Sequence, residues 1–483
     1  MRVLDAILPK RSLAVLFWTC LPLLYATGNA AAADIRCPGY DRLQEELGEE
    51  MPTGAGLRVT HVEAAGDDKG GNKGWAPDAD DPAFQGKDFP LPGLPSKHAT
   101  EVGRRFYGNG ATAPGIAEIV CFPNILWAYQ ERGVLRTGSR QLPMAGPSLV
   151  ANHSWVAQSR RGANLEVLKR VDYVVATDDF IQVGGANNSS EVPDVMQCSY
   201  NAILVGRTAG GHSTGTRSQG VPLYPADRAK PDLVAPARYT SEASPMVASA
   251  AALLVDFAGR AGRDISKDSY RSPRTGRSVF HAGTSEVIKA ALLAGADRRT
   301  GSLFGWQIRN YRGRGAYRTD NGLDSRYGAG QVNIYNSYHI LAAGEADSAQ
   351  DDADAAGRVG KSGFDYDSAF GGLDGSNDTA SYMFKAPFGE ARLKASLVWN
   401  LRVNQNTERW DGLAAFYDLD MELYDLDWSE RLPVAKSTSW HDNTENIWHE
   451  LKPGHDYELR VFVGARQEAF RGDYGLAWQV MTE

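Results

Sequence analysis

One stretch constrains this chain more than any other: Lys230-Pro-Asp-Leu-Val-Ala-Pro-Ala-Arg-Tyr-Thr-Ser241-Glu-Ala-Ser-Pro245-Met-Val-Ala-Ser-Ala-Ala-Ala-Leu-Leu254. It predicts an extended run ending at Pro236, a tight turn carrying Thr240 and Ser241, and a helix beginning near Pro245, a residue suited to a first helical turn. The helix runs on to about Ala258, and its small residues from Ala243 to Ala252 let it lie close to whatever it covers. A hydroxyl on a turn before a helix sits where the helix N-terminus favours developing negative charge. A lone serine there is more often a cap. The rest of the chain decides between the two readings.

Length and composition set limits. A chain of 483 residues is long enough for more than one domain. Its formal charge of −8 gives no global basic surface for nucleic acid. Lys10 and Arg11 precede an apolar run from Leu13 to Tyr25, with small residues through Ala33, the pattern of a secretory signal peptide over residues 1–33. The expected location is therefore secreted or periplasmic. That run is short for a bilayer span and contains Pro22, and no later run is longer, so no membrane span is expected in the mature chain. Cys37, Cys121 and Cys198 remain beyond the leader; their spacing fits no metal motif, and at most one intramolecular disulfide could form among them.

Upstream of Ser241 lie three further signals. Gly56-Leu-Arg-Val-Thr-His-Val-Glu63 reads as a strand ending in a carboxylate, with Asp67 and Asp68 as alternative acids in the following Gly-rich loop. Ser96-Lys-His98-Ala-Thr-Glu-Val-Gly opens a helix on a histidine. Leu165–Ala176 has helical spacing, and Phe180-Ile-Gln-Val-Gly-Gly-Ala-Asn187-Asn188 follows as a strand ending in asparagines. Leu149-Val-Ala-Asn-His-Ser154-Trp155-Val156 reads as a buried strand, on which His153 faces away from chemistry.

Taken in order, these segments resemble the subtilisin-like serine proteases (subtilases). The run ending in Thr240-Ser241 and Ala243-Ser-Pro resembles their serine signature, and His98, Thr100 and Val102 match their histidine signature. Leu323-Asp-Ser-Arg-Tyr-Gly-Ala-Gly-Gln-Val-Asn333 resembles their closing Gly-Tyr-Gly-X-Val-Asn element and a last helix follows, so the resemblance spans residues 56–344. It implies an α/β fold, a mainly parallel sheet with helices on both faces. It also implies roles: Ser241 as nucleophile, His98 as general base, Glu63 as the acid that orients it, Asn187 (or its neighbour Asn188) as oxyanion donor. Ser154, Trp155 and Val156 would line the substrate cleft. Departures from the family pattern are Glu63 for aspartate, Ala99 and Glu101 in the histidine motif, Tyr239 for glycine, and Glu242 beside the nucleophile. Gly283-Thr-Ser285 mimics the serine motif without its continuation; Ser285 reads as an N-cap, with Ile288 and Leu292 on the buried face of its helix.

Residues 345–361 are biased to Ala, Asp and Gly and read as a linker. Beyond it, residues 362–483 alternate with period two between turn signals, an antiparallel β-sandwich pattern. It resembles the jelly-roll-like pre-peptidase C-terminal domains of secreted bacterial proteases. Some of those hold calcium in acidic loops; here Asp418, Asp420 and Asp425 read as solvated strand positions, and no metal is assigned. The division expected is a leader at 1–33, a peptidase domain at 34–344, the linker and the sandwich. The function expected is a secreted serine endopeptidase acting on proteins or peptides through an acyl-enzyme, with no cofactor required for the chemistry. Its rival is a catalytically impaired binding protein that keeps the cleft; a surface-adhesion role rests on the sandwich pattern alone.

Overall fold

In the computed structural model the described residues are 35–482, without 68–72, 92, 145, 158–162, 299–316, 353, 355, 405 and 430. The expected leader at 1–33 and the alternative acid Asp68 lie outside them. Six parallel strands form the central sheet: β1 (Arg58–Glu63), β2 (Glu118–Pro123), β3 (Ser148–His153), β4 (Ile181–Gly185), β5 (Ile203–Arg207) and β6 (Leu233–Ala235), in the order β2-β1-β3-β4-β5-β6. The helices are α1 (Tyr40–Leu47), α2 (Lys97–Phe106), α3 (Asn124–Tyr129), α4 (Ala163–Asp178), α5 (Thr240–Ile265), α6 (Ser285–Gly295) and α7 (Ile334–Ala342).

Both faces of the sheet are covered. Val59, Val150, Val183, Ile203 and Val205 pack with Met246, Val247, Ala250 and Leu254 of α5. On the opposite face Val62 and Ala151 pack with Trp127 of α3 and with Leu168, Val171 and Val174 of α4. The alternation along β1 therefore puts Val59, His61 and Glu63 on the face shared with α2 and α5. Small residues let α5 lie directly on the strands. At the end of β4, a Cβ on Gly185 would stand 2.9 Å from the carbonyl oxygen of Thr240, so only glycine admits the start of α5 there.

Two expectations about α5 are corrected. The helix starts at Thr240, not near Pro245, and continues to Ile265 rather than about Ala258. Ser241 is thus inside the first helical turn, and Pro245 stands within the helix. The physical reason is local: Glu242 Oε2 accepts the N–H of Arg238, and Tyr239 O accepts the N–H groups of Glu242 and Ala243, which closes the turn before the proline. A third correction concerns α6, whose N-cap is Thr284; its Oγ1 accepts the Val287 N–H at 3.4 Å. Cys37, Cys121 and Cys198 are free and buried.

The C-terminal sandwich comprises β7 (Ser362–Phe370), β8 (Thr379–Lys385), β9 (Ala391–Val398), β10 (Leu419–Asp425), β11 (Ala435–Ser437), β12 (Thr444–Leu451), β13 (Asp456–Val463) and β14 (Gly472–Thr482). Two antiparallel sheets, β7-β14-β9-β12 and β8-β13-β10-β11, enclose a core that includes Tyr382, Leu393, Met421, Leu459 and Trp478. The first sheet also packs outward onto α6. Lys394 Nζ donates to Ala296 O at 3.0 Å, Asn400 Nδ2 donates to Glu286 Oε1 at 2.6 Å, and a Cβ on Gly475 would meet Val287 N at 2.7 Å. All of α6 is consequently buried, not only the face carrying Ile288 and Leu292. The start of the expected linker is tied to both units: Glu345 N donates to Ile265 O, Ala346 N to Phe364 O and Ala349 N to Ser381 O. Asp425 is not solvated as expected; it is 1% exposed and holds His455 Nδ1 at 2.8 Å and Lys452 Nζ at 3.1 Å.

Candidate active site

The strand order reverses between β1 and β3: β2 lies on the far side of β1, and all later strands run the other way. In open parallel sheets such a switch point opens a crevice beyond the strands' carboxyl ends, because the connections leave in opposite directions. Glu63 is the last residue of β1, and Ser154 follows β3 directly. The segments singled out in the sequence converge there.

Glu63 is 2% exposed, and its two carboxylate oxygens are divided between two imidazoles. Oε2 lies 3.1 Å from His98 Nδ1, and Oε1 lies 3.1 Å from His61 Nε2. His61 Nδ1 in turn lies 2.8 Å from the Tyr107 hydroxyl. Burial pushes the Glu63 carboxyl up, but the charge of His98 and the hydrogen bonds from both rings outweigh it, and its pKa is lowered. The pKa of His98 is raised, first by the Glu63 carboxylate, with Glu242 and Glu101 adding to it and burial opposing. The longer side chain of glutamate thus still meets the imidazole. His98 is the second residue of α2, whose cap Ser96 accepts the Ala99 N–H at 3.3 Å. The His98 side chain is 46% exposed, so Nδ1 is held while the rest of the ring remains accessible.

Ser241 is half-buried at the second position of α5. A proline cannot donate the i→i−4 hydrogen bond of a helix. For Pro245 the carbonyl left without that donor is Ser241 O. Ser154 Oγ donates to it at 3.0 Å, and the same hydroxyl meets Asn152 Nδ2 at 2.9 Å and Ser244 Oγ at 3.1 Å. Ser154 is 7% exposed, and its side chain braces the turn that carries Ser241. Trp155 is also buried, edge-on to Trp127 and His153, while Val156 is half-buried. His153 is buried beside them; burial lowers its pKa to about 4, and Nε2 bonds Gln182 Oε1 at 2.8 Å.

Of the two asparagines, Asn188 is the one at the serine. Its Oδ1 accepts the Thr240 N–H at 2.9 Å. The side-chain amide of Asn187 donates to Glu191 O at 2.9 Å within its own loop, and its main chain pairs with Ser213. Both the Asn188 amide nitrogen and the Ser241 N–H lack an acceptor among the described residues. Glu242 turns away from the serine: Oε2 accepts the Arg238 N–H at 3.0 Å, and Oε1 lies 3.5 Å from Arg105 Nη2. Tyr239 is 40% exposed beside the same turn. No hydrogen bond joins Ser241 Oγ to His98 among the described residues. Such bonds are often long in unliganded sites and tighten around substrate.

The arrangement provides a hydroxyl at a helix N-terminus, an imidazole on the neighbouring helix oriented by a buried carboxylate at a strand end, and two free N–H donors. Those are the parts that acyl transfer needs. Sequence reasoning had passed over His61 and Tyr107. A signal existed: Thr60-His-Val-Glu63 places His61 and Glu63 two apart on one strand, hence on one face. Elsewhere Asp425, Asp427 and His455 lie close enough to share a cation, but Lys452 already occupies Asp425.

No family model and no curated protein matches the chain. Solved structures resemble it in part. A PatG macrocyclase in complex with peptide is 15% identical over 64% of this chain and 98% of its own, with a TM-score of 0.37. The epidermin leader peptide processing serine protease EpiP from Staphylococcus aureus is 13% identical over 67% of this chain and 84% of its own, with a TM-score of 0.38. The pre-peptidase C-terminal domain of a collagenase from Bacillus anthracis is 18% identical, covers 26% of this chain and 92% of its own, and gives a TM-score of 0.18.

Proposed function

We propose that this chain is a subtilase-like serine endopeptidase that hydrolyses protein or peptide substrates outside the cytoplasm. One observation carries the reading: Glu63 Oε2 stands 3.1 Å from His98 Nδ1 at the sheet's switch point, beside the helix whose first turn bears Ser241. His98 takes the Ser241 Oγ proton on Nε2 as the serine attacks the scissile carbonyl. Glu63 remains ionised and offsets the imidazolium. The oxyanion is received by the Ser241 N–H and the Asn188 amide, the second in place of Asn187. His98 then returns the proton to the leaving amine, and water resolves the acyl-enzyme. Export follows from the basic and apolar segments at Lys10–Arg11 and Leu13–Tyr25.

The test is labelling with a fluorophosphonate, which reacts only with an activated serine. Wild type should label at Ser241 and Ser241→Ala should not. The lack of a direct Ser241–His98 hydrogen bond favours one alternative, a binding protein that keeps the cleft without turnover. That alternative is supported if purified protein retains peptides yet neither labels nor cleaves them.

A further inference from the structure

The geometry points to His61 and Tyr107 as positioning residues that hold Glu63 on His98, a buried brace behind the charge-bearing pair. This rests on the serine peptidase reading for its kinetic consequence, but not for its structural one. Four groups form a chain: Tyr107 just past the end of α2, His61 inside β1, Glu63 at the end of β1 and His98 at the start of α2. Each link is a hydrogen bond of 2.8–3.1 Å. His61 is 1% exposed and Tyr107 is fully buried, so no water substitutes for either.

The path fixes a tautomer. Glu63, ionised, only accepts, so His61 must carry its proton on Nε2. In the neutral ring Nδ1 is then a bare acceptor, and the Tyr107 hydroxyl supplies its donor. Burial raises the Tyr107 pKa well above the usual tyrosine range, with smaller contributions from Cys121 and Glu63, which keeps that hydroxyl a donor. The hydroxyl reaches the strand because α2 passes over it at a glycine: a Cβ on Gly103 would stand 2.5 Å from Tyr107 Oη. The other titratable group facing this brace is Cys121, the register neighbour of His61 on β2; His153, the register neighbour of Val62 on β3, lies on the opposite face of the sheet against Trp127, and burial holds both neutral. His98 itself faces Glu242 and Glu101 as well as Glu63.

Without the Tyr107 hydroxyl, His61 can take its proton on Nδ1 and turn a lone pair toward Glu63 Oε1. A buried carboxylate so faced either takes up a proton or swings off, and His98 loses its anion. Wrong-tautomer effects of this kind are costly in serine hydrolases.

The experiment compares Tyr107→Phe, His61→Leu and His61→Gln in the full chain, following the His98 ring titration by NMR and the fluorophosphonate labelling rate. Tyr107→Phe and His61→Leu should move the His98 pKa down and slow labelling about tenfold or more, the range typical for partners that orient a catalytic ligand. His61→Gln keeps a donor toward Glu63 without a tautomer choice. It should leave the His98 pKa raised, and adding Tyr107→Phe to it should change nothing. A His98 titration unmoved by Tyr107→Phe and His61→Leu overturns the inference, as does an equal fall in His61→Gln. If wild type never labels, the peptidase reading fails by itself, and the titration still decides the brace. If Tyr107→Phe does not fold, the comparison of His61→Leu with His61→Gln decides it.

Discussion

Arg105 Nη2 lies 3.5 Å from Glu242 Oε1, one residue beyond the candidate nucleophile. A carboxylate next to a forming oxyanion opposes catalysis. Here it is aimed at a guanidinium and at the Arg238 N–H. Arg105→Ala should therefore slow fluorophosphonate labelling of Ser241, by about tenfold, because a like charge a few ångströms from the oxyanion is left uncompensated. Glu242→Gln in the same background should restore the rate. Labelling rates of the two single variants and the double variant measure the coupling.

Ser154 and Pro245 make a separable pair. Ser154→Ala leaves the Ser241 carbonyl without its donor, which should cost about 1–3 kcal/mol of stability, the usual penalty for a buried unsatisfied polar group. Pro245→Ala restores an N–H four residues beyond Ser241. The double variant should melt above Ser154→Ala alone; thermal unfolding followed by circular dichroism checks the order.

The two asparagines give opposite expectations. Asn188→Ala should lower kcat by about 10²–10³, the effect of removing one oxyanion donor. Asn187→Ala removes a bond to Glu191 O in an exposed loop and should leave kcat close to wild type. Steady-state kinetics on a peptide substrate distinguish them.

The pH dependence follows from the direction of the His98 shift. Its pKa is raised, chiefly by Glu63, so the inactive imidazolium persists to higher pH than an ordinary histidine's about 6.5 would allow. The labelling rate should rise with pH through a half-point above that value. Glu63→Gln removes the anion and should shift the half-point down while lowering the maximum rate. A pH series of labelling rates on both proteins checks this.

A last prediction concerns the seam between the sheet and the sandwich. Burial, then Asp473 and Asp179, raise the Glu286 pKa to about 8 from 4.5. Between those values the folded chain holds a proton that the unfolded chain has lost, so this group's contribution to stability falls as pH rises through the window. Glu286→Gln should raise Tm at pH 8 and change it little at pH 4.5; paired melting curves at the two pH values test it.

Much of this was legible in the sequence, for reasons that are local. Strand β1 ends at Glu63 because Val59, Thr60 and Val62 favour an extended, buried run before a glycine-rich loop. α2 begins at Lys97, one residue before His98, because Ser96 caps it. The order of acid, base, asparagine and serine along the chain brought the site's segments together, and the period-two pattern after residue 361 marked the sandwich. Single-residue identities were less accessible. Asn187 and Asn188 differ only in which way each side chain turns, and that is settled by Thr240, more than fifty residues away in sequence.

The sequence by itself determined the elements, their order and the residue types available for chemistry, because hydrophobic period, caps and breakers act over a few neighbours. Tertiary structure alone decided what those residues do. It brought Arg105 against Glu242, placed Ser154 under the carbonyl that Pro245 leaves unpaired, and ran Tyr107 beneath α2 to His61. These are contacts between elements far apart in the chain. Their energies depend on burial and on ångström distances, which no local pattern encodes.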